Sequence, residues 1–277
     1  MRLNTMKRHF IGVDLDGTLL TSEKQVTDRT FETIQNAVKK GNVIVPVTGR
    51  PLSGIPQSIL NCREIEYIIT SNGAVTYNRK EGRIVENKCL PFAVCNLIYQ
   101  RLFGRASVFE VFTGGVAYED EQSLQNLLNR YHRTSYTEYI KRSRKVVESV
   151  QDVIESAKID EIAVMFEQSD AVSHLMREMK DMGIFQIVET AQNEFEIYSN
   201  AAGKGNAILR LANRLHFSER EIVAIGDSNN DLDMMDKAGI SIAMGNALDN
   251  VKKAADIVTS DNDHDGVAKA IIRLMKF

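Results

Sequence analysis

The sequence predicts an α/β fold, a doubly wound (Rossmann-like) parallel sheet core with an inserted α+β cap domain. Three observations predict it. Residues 10–74 alternate short β-branched runs with amphipathic stretches, residues 204–275 do the same, and the segment between carries hairpins instead. Alternation at both ends of the chain implies one parallel sheet, covered by helices and built from two separated halves.

The elements follow in order. Phe10 to Asp14 reads as a buried strand, and Thr27 to Lys40 as a helix with Phe31, Ile34 and Val38 on one face, stopped by Gly41. Val43 to Val47 and Tyr67 to Thr70 are β-branched or aromatic runs, and Pro51 suits a helix start. Val75 to Glu86 reads as a hairpin turning at Lys80-Glu81-Gly82, and Ser107 to Asp120 as another turning at Gly114-Gly115. Strands at Ile159 to Phe166 and Phe185 to Val188 flank a helix from Ala171 to Met182. The tail continues as strand Ile222 to Ile225, helix Leu232 to Ala238, strand Ile240 to Ala243, helix Leu248 to Ala255, strand Ile257-Val258 and helix Val267 to Met275. Residues 1–85 and 192–277 are thus expected to form the core and 86–191 the cap, with no Pro- or Gly-rich linker and no internal repeat to mark the joins.

Composition narrows the function classes. The 277 residues are 43% hydrophobic and 26% charged, with a net charge of −3, as in ordinary soluble globular proteins. No global basic field suggests a nucleic acid or an anionic membrane as partner, and no apolar run reaches the ~18 residues of a membrane helix. The basic N-terminal stretch leads into only a short apolar run without a small-residue cleavage site, so secretion is not expected. Cys62, Cys89 and Cys95 form no CxxC pair and read as reduced thiols of a cytoplasmic protein. The five histidines form no ligand pair.

Chemistry is suggested first by "VDLDGTLLT", Val13 to Thr21, where an apolar strand ends on two aspartates. A buried carboxylate is costly unless paired or bound to metal. Asp14 and Asp16 alone are equally consistent with a structural turn. The other strand ends decide between the readings, because ligands in open α/β sheets bind beyond the carboxyl ends of strands, where strand order reverses. "VPVTGR" brings Thr48 and the Gly49 amide to that rim, "GDSNNDLDM" brings Asp227, Asn230 and Asp231, and "AAGKGNAI" puts Lys204 at a helix start. Asp14, Asp227 and a phosphate dianion carry about four negative charges, and Mg²⁺ with Lys204 returns about three. Oxygen-only donors favour Mg²⁺ over zinc.

Asp14-Leu15-Asp16-Gly17-Thr18, Thr48-Gly49-Arg50, Lys204 and Gly226-Asp227 with Asn230-Asp231 resemble, in order, the four motifs of the haloacid dehalogenase superfamily. "SNGA" at Ser71 to Ala74 and "DGVAKAI" from Asp265 are similar to its Cof-type phosphatases. Only 30 residues separate Thr18 from Thr48, whereas 156 separate Thr48 from Lys204, which leaves room for a cap in the second position. The resemblance implies a class IIB cap, and disfavours the β-phosphoglucomutases and true dehalogenases, whose caps sit in the first position. It further implies that Asp14 is the nucleophile forming an aspartyl phosphate, and that Asp16 is the general acid and base, a role favouring a raised pKa. Leu15, Thr48, Gly49, Lys204 and Asn230 would bind phosphate. Mg²⁺ would be bound by Asp14, the Asp16 backbone carbonyl and Asp227, with Asp231 orienting a metal-bound water.

Small phosphorylated metabolites, sugar phosphates above all, are the expected substrates. FMN or pyridoxal phosphate is the alternative, followed by a phosphomannomutase-like transfer, and the non-enzyme alternative is a regulatory protein retaining the fold. Oligomeric state is not legible. "DNDHDG" at Asp261 to Gly266 fails as a calcium loop because Ile272 stands where a bidentate Glu is required, so Asp265-Gly266 reads as a helix start. "GKG" at Gly203 to Gly205 is no P-loop. Arg50 and Asn72 read equally well as structural residues at strand ends, and "KRSRK", Lys141 to Lys145, as a solvated face.

Overall fold

The computed structural model describes residues 8–132, 134–167 and 170–275. In chain order the first part of the core contains β1 (Phe10–Val13), α1 (Asp28–Lys39), β2 (Val43–Pro46), α2 (Gln57–Leu60), β3 (Tyr67–Thr70), β4 (Val75–Asn78) and β5 (Arg83–Asn87). The cap follows with α3 (Phe92–Leu102), β6 (Val108–Thr113), β7 (Val116–Glu119), α4 (Glu121–Arg130), α5 (Tyr136–Ser143), β8 (Arg144–Val146), α6 (Val150–Ser156), β9 (Glu161–Met165), α7 (Asp170–Asp181), β10 (Gln186–Ala191) and β11 (Glu194–Tyr198). The chain returns to the core with α8 (Lys204–Arg214), β12 (Ile222–Gly226), α9 (Leu232–Lys237), β13 (Ile240–Ala243), α10 (Asp249–Ala254), β14 (Ile257–Val258) and α11 (Gly266–Leu274).

The core sheet is parallel, in the order β14-β13-β12-β1-β2. Beyond β2 a parallel bridge, Val47 to Ile69, joins it to the antiparallel β3-β4-β5 sheet. Strand β1 is wholly buried, as a central strand covered on both faces must be, and its Phe10-Ile11-Gly12-Val13 run contains no polar side chain. The chain moves outward from β1 to β2 on one side and from β12 to β14 on the other. The order therefore reverses at the carboxyl end of β1, directly before Asp14. Helix α1 shows how local chemistry sets an element: the Thr27 hydroxyl caps it by accepting from the Thr30 amide, and Ile34 and Ala37 carry its apolar stripe into the core.

The cap sheet runs β10-β11-β9-β6-β7-β8. Helices α3, α6 and α7 cover one face through Ile98, Leu102, Ile154, Met176 and Met179. Its other face looks toward the core. The expected break at 191/192 falls in the turn between β10 and β11, and β11 pairs with both β10 and β9, so the cap sheet runs to Tyr198. The alternation of Glu194-Phe195-Glu196-Ile197 explains this, since its apolar residues join the cap cluster while its acids face the core. The break expected at 85/86 falls inside β5, whose residues pair with β4. Among the described residues no helix is long and apolar enough to cross a membrane.

Candidate active site

Four segments of the core meet where the strand order reverses, and each arrives there for a local reason. The β1 strand delivers Asp14, whose amide donates to the Ile225 carbonyl of β12 and so extends the ladder by one residue. Gly17 follows with φ +75°, and a β-carbon there would lie 2.5 Å from Oδ2 of Asp227, so this turn admits only glycine. The Thr18 hydroxyl donates to Asp227 Oδ1 at 2.7 Å and ties the first loop to the last. Leu15 has its side chain in the core, leaving only its backbone to reach a phosphate.

Lys204 opens helix α8, an unfavourable place for a cation against the positive end of a helix dipole. Its surroundings explain the position. Buried at 1% exposure, Nζ donates to Asp14 Oδ1 at 2.6 Å and to Asp231 Oδ1 at 2.7 Å. The second Asp231 oxygen accepts from the amides of Asp227 (2.8 Å) and Ser228 (3.0 Å). Asp231 therefore anchors both the lysine and the Asp227 loop, a fuller engagement than the expected orientation of a water.

Single ligand oxygens of Asp14, Asp227 and Asp231 all lie within 4.8 Å of one another. One lysine does not neutralise three carboxylates. Burial and the neighbouring acids lift Asp14 well above the carboxylate range against the pull of Lys204, and burial with Asp231 lifts Asp227 to about 6. Lys204 itself is raised, because attraction to Asp14 and Asp231 outweighs its burial. Oxygen donors with surplus negative charge fit a hard divalent cation such as Mg²⁺.

Thr48 and Gly49 end the second strand. The Thr48 hydroxyl accepts from the Arg50 amide at 3.1 Å, and a β-carbon on Gly49 would sit 3.0 Å from Glu196 of the cap. The Asn230 side chain donates to Asn72 at 3.3 Å and accepts from the Ser228 hydroxyl at 2.7 Å. Asn72, in a left-handed conformation with φ 47°, also donates to Glu196 (2.6 Å) and Glu161 (3.0 Å). It thereby links the cap to the Asn230 loop. All nine residues singled out in the sequence lie at this one rim, Leu15 through its backbone.

Asp16 departs from expectation. Arg50 grips both its oxygens, each at 2.6 Å, and Lys24 adds a third donor at 2.8 Å. Burial acts to raise its pKa, but these cations outweigh it and hold the carboxyl down at about 2. The raised pKa expected for a general acid is therefore not found, because the partners that reverse it come from elsewhere in the chain. Arg50 could have been suspected, since it follows Thr48-Gly49 onto the same rim. For Lys24 the sequence holds no signal.

The cap supplies further residues that pattern reading passed over. Tyr136 and Tyr139 of α5 lie over the cations, with Lys24 Nζ 3.9 Å from one ring centre and the Arg50 guanidinium 4.2 Å from the other. Arg144, expected on a solvated face, is buried and donates to Glu110 at 2.8 Å. Cap and core enclose a chamber of about 830 Å³, lined by Asp14, Asp16 and Asp227 below and by Glu110, Tyr139, Arg144 and Glu196 above. That volume is typical of a small-molecule site.

Comparison with known proteins agrees with this geometry. The profile of the haloacid dehalogenase-like hydrolases matches residues 11–271. Phosphatase YwpJ of Bacillus subtilis is 30% identical over 284 residues, covering 96% of this chain and 99% of that protein. The B. subtilis protein 5-amino-6-(5-phospho-D-ribitylamino)uracil phosphatase YcsE is 26% identical, covering 94% and 93%. A solved haloacid dehalogenase-like hydrolase from B. subtilis superposes with a TM-score of 0.86 at 30% identity, covering 97% of this chain and 100% of that one. A structure of the subclass IIB sugar phosphatase BT4131 shares the fold with a TM-score of 0.78. The family profile over residues 11–271, four ordered motifs, a sheet reversing at Asp14 and a cap in the second position place this chain in the haloacid dehalogenase-like hydrolases, among the Cof-type phosphatases.

Proposed function

We propose that this chain is a Mg²⁺-dependent phosphatase that hydrolyses small phosphate monoesters, sugar and polyol phosphates foremost, through an aspartyl phosphate on Asp14. The observation that carries the reading is the under-neutralised trio of Asp14, Asp227 and Asp231 around Lys204, at the floor of the chamber between core and cap. Mg²⁺ bound by Asp14, Asp227 and the Asp16 backbone carbonyl would neutralise the phosphoryl oxygens and lower their repulsion from the nucleophile.

The chain's own groups then divide the work. Lys204 fixes the Asp14 carboxylate and, together with the Mg²⁺ the site would hold, favours its ionised form beside an incoming anion. The Leu15 and Gly49 amides, the Thr48 hydroxyl and the Asn230 amide hold the phosphate oxygens in line with Asp14. Asp16 gives a proton to the leaving oxygen and later takes one from the attacking water. Arg50 and Lys24 hold Asp16 ionised, the state that second step requires, so the first step needs those contacts to loosen as the leaving group enters. Tyr136 and Tyr139 cover this region and keep bulk water from it.

Support for polyol and sugar esters comes from the chamber, whose acceptors Glu110, Glu194 and Glu196 suit hydroxyl donors while Phe112 and Tyr139 suit apolar ring faces. Several relatives are named for substrates bearing their phosphate on a ribityl chain. The test is phosphate release over a panel of sugar, polyol, nucleotide, FMN and pyridoxal phosphates. We expect Mg²⁺-dependent turnover of the sugar and polyol esters, lost after chelation and restored by adding Mg²⁺. Full activity after exhaustive chelation refutes the metal assignment.

A further inference from the structure

A monoester that carries a second anionic group has to place that group in the cap end of the chamber. Among the described residues, the cations lining the chamber are Lys24, Arg50 and Arg144. Asp16 engages the first two. Arg144 stands in the cap wall and has the planar fork that would receive a phosphate or carboxylate in a bidentate grip. That fork is filled from within. Nε donates to Glu110 Oε1 at 2.8 Å, Nη2 reaches Oε2 at 3.5 Å, Nη1 donates to the Ser143 hydroxyl at 2.7 Å, and the guanidinium lies 4.5 Å from the Tyr139 ring centre.

The rest of the cap wall offers an anion acids rather than free cations among the described residues. Glu194 and Glu196 also line the chamber, the former held by Arg130 and Tyr131 at 2.5 Å each and the latter by Asn72. On the neighbouring strand, Glu119 is fully buried, and its two carboxyl oxygens have no hydrogen-bond partner among the described residues. Burial, with the charge of Glu110 adding, pushes it up to about 9, so it stands as a neutral acid in reserve beside the pair.

We propose that Glu110 is a specificity-determining residue: by occupying the Arg144 fork it restricts the chamber to phosphate monoesters whose leaving group carries no second phosphate or carboxylate. The proposal rests on the phosphatase reading and deepens it. A phosphomutase must hold a sugar bisphosphate at both ends, so the same pair sets this site against mutase chemistry. Neutralising Glu110 leaves a buried arginine short of a counter-ion, which a second substrate anion can supply. Glu119 could ionise in its place, so the informative variant removes both charges.

The experiment measures kcat/KM for matched esters, fructose 6-phosphate against fructose 1,6-bisphosphate and ribulose 5-phosphate against ribulose 1,5-bisphosphate, with acetyl phosphate alongside. The full-length protein is used with Mg²⁺. The wild type should prefer each monophosphate by about tenfold or more, the scale of one charge-assisted hydrogen bond. In E110Q/E119Q the bisphosphate-to-monophosphate ratio should rise by a similar factor, mainly through KM for the bisphosphate. Adding Arg144→Gln should return it toward wild type. The ratio is taken within each variant, so a general loss of activity cancels. A folded E110Q/E119Q protein with an unchanged ratio overturns the proposal. So does a wild type that uses bisphosphates as well as monophosphates, a result needing no variant at all, or one that hydrolyses acetyl phosphate but no sugar ester. A wild type inert even toward acetyl phosphate overturns the phosphatase reading beneath it.

Discussion

Replacing Lys204 by Met keeps the unbranched apolar stem, one atom shorter, and removes the charge, which makes it a direct probe of the electrostatic balance at the site. In the native chain Nζ is the shared partner of Asp14 and Asp231, at 1% exposure. Removing one member of a buried ion pair costs about 3–5 kcal/mol, because its partners keep their desolvation without their attraction. At roughly 2–4 °C per kcal/mol for a chain of this size, the metal-free variant should melt about 10 °C below wild type. Part of that loss is relieved when the stranded carboxylates take up a proton. Asp14, raised by burial even with Lys204 in place, would then lie further above its unfolded value near 4, so the folded state binds more protons and variant stability falls as pH rises. The deficit should therefore be larger at pH 8 than at pH 5.5. Mg²⁺ should raise the melting temperature of the variant more than that of wild type, since it supplies positive charge to the same carboxylates. Differential scanning fluorimetry with EDTA or Mg²⁺ at the two pH values reads all three effects. Turnover should fall by about 10²–10³, the usual effect of losing one charge-stabilising donor. A metal-free variant melting within a degree of wild type at both pH values, with an equal Mg²⁺ shift, would refute the reasoning.

Asp14→Asn should abolish turnover while the protein stays folded and capped, checked by phosphate release and size-exclusion chromatography; near-normal rates would remove Asp14 from the nucleophile's role. Gly17→Ala forces a side chain into a left-handed backbone and against Asp227. It should cost about 1–2 kcal/mol in stability and weaken Mg²⁺ binding, read by calorimetry. Glu119→Gln bears on pH dependence. The native acid is raised to about 9 from an unfolded value of 4.5, so its protonated form stabilises the fold at low pH and that contribution fades as pH climbs through this window. The variant should show a flatter decline of stability between pH 5 and 9, and an unchanged slope would mean that Glu119 is ionised throughout. Replacing Cys62, Cys89 and Cys95 together should leave kcat and KM close to wild type, because burial pushes their thiols up, to about 11 for Cys89 and about 12 for Cys95.

The core was legible because its signals are local. Runs such as Phe10–Val13 and Ile222–Gly226 are buried on both faces and read as unbroken apolar strands, and the motif residues stand at their ends, where topology gathers ligands. The cap was legible only where hairpin turns announced it. The expected boundary at 191/192 leaves residues 194–198 with the core, because no turn signal or apolar run marks strand β11, whose acids line the chamber while Phe195 and Ile197 join the cap cluster. Helix α5 went unread, since its packing face is carried by Tyr136 and Tyr139, which also cover Lys24 and Arg50, with Ile140 as its one buried aliphatic residue. Arg144 sits in a basic run whose Lys141, Arg142 and Lys145 are exposed, and nothing near it in sequence foretells Glu110, 34 positions away. Asp16 shows the same limit: its chemistry was read from its position, but its charge state depends on cations brought by folding.

The pairing of β1 with β12 has a consequence for biogenesis. Phe10 lies opposite Ile222, so the central strand of the core waits for more than two hundred further residues to be synthesised before it gains that neighbour. By then the whole cap, whose sheet contains only residues from 108 to 198, has left the ribosome and can fold as a unit. Until Lys204 and Asp227 emerge, Asp14 and Asp16 belong to a half-built sheet with an open hydrophobic edge at β1. The nascent chain is thus most exposed to aggregation in the interval between emergence of the cap and emergence of β12. Slow translation or chaperone engagement would matter most there, and a chain truncated before Ile222 would carry a finished cap on a core that cannot close.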